Sequence, residues 1–316
     1  MRLRTSLIVF AATLALAGCA STRLPAPSGP TPSTTGDLGG PLRQAWRYDA
    51  EAGFGETPGV IVGDLLYVGT RSGEVRAIRL ETGKKVAIAK LFDSIETAPL
   101  VVGKSRLFVV PKSRQRPVLL QLGGGTVWTA RERIPVSDRP NLEDRYIRVT
   151  GQDWTGLLLN RETGEVVEQK RFERQTARGN WLLAYDDPHA GREIVFSLAD
   201  STVRGTSPEM TPFGVAMGAT DGALRMIEDG TLRWMRDLGD PMTAAPTLYN
   251  GRLYVGTLGR KLFVLDAATG EILHEYRVGG RIQSRPLVYS GGVIVFAEPS
   301  HVYHFVPTAD ETPAAR

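Results

Sequence analysis

Residues 57–86, "TPGVIVGDLLYVGTRSGEVRAIRLETGKKV", and residues 245–273, "APTLYNGRLYVGTLGRKLFVLDAATGEIL", follow one plan. Each runs a proline, an apolar pair, a turn, Leu-Tyr-Val-Gly-Thr, a second turn, an alternating run and a Thr-Gly turn. Weaker copies stand at 98–111, 139–167, 213–234 and 285–307. Opening prolines fall at 58, 99, 140, 246 and 286, and hairpin glycines at 83, 124, 164, 230 and 270, so neighbouring markers are 40 or 41 residues apart. A unit of this size cannot bury its own apolar faces; copies stacked side by side can. Short strands repeating every 40–45 residues specify a β-propeller of four-stranded blades.

The chemistry within each unit agrees. Runs such as "YVGT" and "FVLD" have the period and composition of strands. Gly83, Gly164, Gly230 and Gly270 end turns in which a positive φ closes a hairpin. Tyr67, Phe108, Tyr254 and Phe263 supply aromatic bulk for packing between blades. No stretch carries a capped helical stripe, so almost no helix is expected.

The markers slip once. Pro140 to Pro246 is 106 residues, where three periods need about 120. The deficit points to a blade shortened within 170–212, where 181–185 and 193–198 are strand candidates. The count is then seven blades, with six or eight as alternatives. The last repeat ends at "VYHFVP" without a finishing strand, whereas "RQAWRYDA" around Trp46 is a finishing strand without a repeat. Trp128 and Trp234 hold the matching place elsewhere. The Trp46 strand is therefore expected to complete the final blade and leave no open edge at the seam.

Ahead of the repeats, residues 1–18 read as a signal peptide: Arg2 and Arg4, an apolar run, then small residues. Leu16, Ala17, Gly18 and Cys19 resemble the lipobox of bacterial lipoproteins. The resemblance implies that Cys19, the one cysteine in the chain, becomes a lipidated N-terminus. With Ala20 following, it also implies sorting to the periplasmic face of the outer membrane of a Gram-negative envelope. Residues 19–40 hold the lipid-bearing cysteine and a Pro-, Gly- and Ser/Thr-rich stretch expected as a disordered tether with a reach on the order of 60 Å. The propeller is expected over 41–306 and a frayed tail over 307–316.

The pattern at 245–271 resembles the PQQ-like propeller repeat, and the likeness extends over roughly 42–306. That family divides into quinoprotein dehydrogenases and non-catalytic envelope lipoproteins, the latter including the BamB group that serves outer-membrane β-barrel assembly. Signal, lipobox, tether and propeller together resemble that group, whose members usually have eight blades. The resemblance implies a non-enzymatic scaffold docking a periplasmic domain of the barrel-assembly type. The dehydrogenases carry an adjacent cysteine pair that a lone Cys19 cannot supply, so no PQQ or other cofactor is expected. The alternative is a ligand-binding or sensing propeller, or a cryptic PQQ-type enzyme, using the central channel.

Catalytic and metal motifs are lacking. His301 and His304 lie three apart on a predicted strand and face opposite sides, a poor metal pair. "GFGETPG" (53–59) precedes a strand and reads as an inter-blade loop, and Asp266 as a turn residue. Charge gives one lead. Residues 104–178 hold fifteen Lys/Arg and nine Asp/Glu, a net of +6 within a chain of +4. Such a surface suits an acidic partner domain or lipid phosphates. Arg114, Arg116, Arg139, Asp144 and Arg145 are the candidate contact residues. Nucleic acid is not expected as a partner of an envelope protein, and the ring is expected to be monomeric within its complex.

Overall fold

The computed structural model describes residues 23–34, 38, 40–112, 114–134, 140–150, 155–171, 185–186, 193–194 and 203–308. Their strands form six antiparallel sheets of four or more strands and one of two, with no helix among the described residues. The first blade is Gly59–Val62, Leu65–Gly69, Glu74–Arg79 and Lys85–Lys90. The second is Leu100–Val102, Arg106–Val109, Val118–Gln121 and Thr126–Thr129. The third is Asn141–Glu143, Tyr146–Thr150, Thr155–Asn160 and Val166–Arg171. Tyr185–Asp186 and Glu193–Ile194 form the two-stranded fourth; the rest of the expected short blade, and of the strand candidates 181–185 and 193–198, lies outside the described residues. The fifth is Glu209–Thr211, Gly214–Met217, Ala223–Glu228 and Thr231–Asp237, and the sixth Thr247–Tyr249, Arg252–Gly256, Lys261–Asp266 and Ile272–Arg277. The seventh joins Leu287–Tyr289, Gly292–Glu298 and His301–Pro307 to Leu42–Asp49, with Arg281–Ile282 beside it.

First strands of successive blades neighbour one another and line the centre. Second and third strands lie between blades, so both their faces are apolar: all of Leu65–Gly69 is buried. Fourth strands form the rim, and Thr231–Asp237 is almost wholly exposed. The core is correspondingly divided into clusters between blades. One packs Leu66, Val68 and Ile78 of the first blade against Ile294, Phe296 and Val302 of the seventh. Each such fully buried side chain contributes about 1.5–3 kcal/mol.

The Thr-Gly turn and the tryptophan that mark the repeat belong to one joint. Gly83, Gly164 and Gly270 have φ of 68°, 73° and 71°. A Cβ on them would stand 2.6, 2.6 and 2.7 Å from the indoles of Trp46, Trp128 and Trp234. Those indoles belong to the preceding blade, and their N–H groups donate to the carbonyls of Leu80, Arg161 and Ala267. Only glycine tolerates both the left-handed backbone and the ring pressed on it. In the second blade Gly123, not the expected Gly124, takes the positive φ.

Ring closure follows the expectation. Leu42–Asp49 runs antiparallel to His301–Pro307, pairing Leu42 with Pro307 and Asp49 with His301.

The segment expected as a free tether differs. Leu24 and Leu38 are buried in the core. Gly123 N–H donates to Leu24 O, Tyr67 Oη to Pro25 O, Asp64 N–H to Ser28 O, and Ser290 N–H to Ser33 O. Residues 23–33 thus form a strap crossing the second, first and seventh blades. The physical reason sits in the first blade. In register its rim strand carries Ala87 where the second, fifth and seventh blades carry tryptophan. The joint above Gly123 would be empty, and Leu24 and Ala26 fill it. Residues 1–18, Cys19 and 309–316 lie outside the described residues, and the expected signal peptide, the expected lipidation at Cys19 and most of the expected tail fall there.

Candidate interaction surface

Alternating turns give the ring two faces. Turns joining first to second and third to fourth strands share one face, and the strap lies across it. Loops joining second to third strands, and the connectors between blades, share the other.

On this connector face three segments are bonded into one surface. In the 110–117 loop, Lys112 N–H donates to Ser94 O and Arg114 N–H to the Asp93 carboxylate, 2.8 and 2.7 Å away. Ala130 N–H donates to Pro117 O and Ile134 N–H to Gln115 O. Lys112, Arg114, Arg116, Arg131 and Arg133 are all exposed here. Against them stand Glu132, Asp93, which is buried, and Glu96, which pairs with Lys112 at 2.6 Å. No ion pair engages Arg114 or Arg116 among the described residues, so their charge is presented outward.

Phe92 immediately precedes Asp93, the residue to which this loop is bonded. Phe92 is 65% exposed and has a φ of 56°, a conformation that a bulky side chain rarely adopts. Both Leu91 N–H and Phe92 N–H donate to Gly73 O, which fixes the turn. Periodicity could not single out Phe92, since it lies in a connector between strands.

The sequence-selected residues divide between faces. Arg114 and Arg116 stand on the connector face. Asp144 and Arg145 form the turn between the first two strands of the third blade, on the strap face, which corrects their grouping with the other two. The Asp144 and Arg145 side chains lie 3.7 Å apart and highly exposed. Arg139 lies outside the described residues.

The central channel carries a polar network near its connector-face mouth. Arg285 pairs with Glu209 and donates to Thr247 Oγ1 at 3.1 Å. Ser207 Oγ donates to Glu56 Oε1 at 2.9 Å, linking the connectors that enter the fifth and first blades. No group of three or more His, Cys, Asp or Glu is gathered as a metal site among the described residues.

The histidines separate as expected. His301 is partly exposed, whereas His304 is 4% exposed and joined to Tyr289 Oη at 2.9 Å. The Trp46 ring lies 5.0 Å from it. Burial pushes the imidazole down to about 4 and the Tyr289 phenol up to about 12. Both line a shallow pocket under Ser28–Pro32 of the strap. Asp266 serves its turn, accepting from the N–H groups of Ala268 and Thr269.

Comparison with known proteins adds three findings. The family described as "Outer membrane protein assembly factor BamB" matches residues 43–187 and 220–310. The crystal structure of BamB from Moraxella catarrhalis superposes with a TM-score of 0.55 at 18% identity, over 84% of this chain and all of that one. The tetrathionate hydrolase of Acidithiobacillus ferrooxidans is 34% identical over 73 residues, 22% of this chain. That stretch is 14% of the hydrolase, so this chain corresponds to a small part of that protein's length.

Proposed function

Because this chain belongs to the family of the outer membrane protein assembly factor BamB, we propose that it is a lipid-anchored, non-enzymatic scaffold for outer-membrane protein assembly. The observation that carries the reading is the family match over most of the propeller. A rigid ring with many short loops offers a wide contact surface without needing chemistry of its own. The short hydrolase match falls within one stretch of a repetitive fold, and shared fold does not transfer an activity. The bond between Ser207 and Glu56 across the channel mouth also favours an outer surface over the channel as the working site.

The strap supports a particular orientation. Lipid on Cys19 would sit four residues from Arg23, a reach of about 14 Å at full extension. Such a leash holds the strap face toward the membrane and turns the connector face toward the periplasm. The test is affinity recovery of the full-length protein from detergent-solubilised envelopes. Co-recovery of a β-barrel assembly protein at constant ratio is expected. A bait free of any assembly component, or one that co-purifies with a small molecule alone, overturns the reading.

A further inference from the structure

We propose that Phe92, with Arg114 and Arg116, forms a docking site on the connector face for an acidic protein segment bearing an apolar side chain. The inference rests on the scaffold reading and assigns it a surface and a partner chemistry. Three observations converge. Phe92 is 65% exposed, the most exposed of the large apolar side chains described. It is held there at a φ of 56° by paired donations to Gly73 O, although glycine would serve that backbone without strain. Strain of this kind persists only where surrounding structure imposes it, and it concentrates at binding sites. The neighbouring residue Asp93 spends its carboxylate on the Arg114 amide. This bond holds the chain at Arg114 against the residue that follows Phe92, while the Arg114 and Arg116 side chains stay exposed.

An exposed aromatic on one connector and exposed arginines on the loop bonded to that connector have the composition of an interface hot spot. The sign of the rim selects the partner: cationic and without a carboxylate in the loop, it attracts acidic chain and repels basic chain. A membrane surface is disfavoured as occupant, because the strap, and with it the path to the N-terminus, leaves from the opposite face.

The test places a photo-crosslinking phenylalanine analogue at position 92 of the full-length protein in cells and sequences the captured peptide. Capture of a net-negative segment of another envelope protein is expected, falling at least tenfold in the Arg114→Glu/Arg116→Glu double variant. Capture of lipid, of a second copy of this chain, of a neutral or basic segment, or of nothing overturns the site, as does capture indifferent to charge reversal. Phe92→Gly separates docking from folding. The thermal midpoint should hold or rise as the strained φ is relieved, while co-recovery of the partner falls. A fall in midpoint with unchanged co-recovery marks Phe92 as structural. Co-recovery intact in Phe92→Gly sinks this surface and leaves the scaffold reading standing; failure of the unaltered protein to recover an assembly component sinks that reading itself.

Discussion

The indole N–H of Trp46 donates to the carbonyl oxygen of Leu80, 2.7 Å away. Trp46 belongs to the strand that completes the seventh blade and Leu80 to the first, so this bond crosses the seam of the ring.

Gly83→Ala therefore meets two costs at one atom. The φ of 68° disfavours a side chain by about 1–2 kcal/mol, and the new Cβ would stand 2.6 Å from the Trp46 ring. A loss of about 2–4 kcal/mol is expected in urea unfolding. A loss below about 0.5 kcal/mol, the size of a neutral surface change, would contradict the joint.

Leu24→Ala tests the strap. Leu24 is 1% exposed among Leu65, Tyr67, Leu107 and Leu120, so truncation should cost about 2–4 kcal/mol. Leu24→Ala should also speed amide exchange at Gly123, whose N–H donates to Leu24 O. A free tether would register neither change.

His304 imposes a pH dependence. Its pKa is about 4 in the folded protein against an ordinary 6.5, because burial disfavours the charged ring. The stabilisation is fully present above pH 6.5 and is lost as pH falls toward 4. About 3 kcal/mol disappears over that window. Unfolding midpoints measured at intervals between pH 7 and 4 should trace this loss, and His304→Gln should flatten it. An unchanged slope in the variant would refute the assignment.

Cys19→Ala is expected to abolish incorporation of labelled fatty acid and to release the protein from membranes. The strap begins beyond that position, so the released body should keep its melting temperature. Continued labelling would show that another residue carries the lipid.

Repeat period, blade closure and turn glycines were legible in the chain because they depend on local chemistry: a Thr-Gly turn needs its glycine wherever it stands. The strap was not, since its composition is that of a linker and, of its described residues, only Leu24 and Leu38 are deeply buried. What holds it is a vacancy beside Ala87, some sixty residues away, visible only in the register of the first blade. The candidate surface was half legible. Charge density selected the 111–117 loop, but it grouped Arg114 with Asp144 because net charge is blind to which end of a meander a turn occupies. Phe92 is marked by a backbone angle, which leaves no trace in composition.

The pairing of Leu42–Asp49 with His301–Pro307 sets an order of events. The residues synthesised first must wait, unpaired, for those synthesised last. Until then both ends of the growing sheet array offer free edges to any passing chain. A polypeptide cut short before its final strand has no partner for its opening one. Latching the circle is thus a check on completeness that a linear stack of the same modules would not provide.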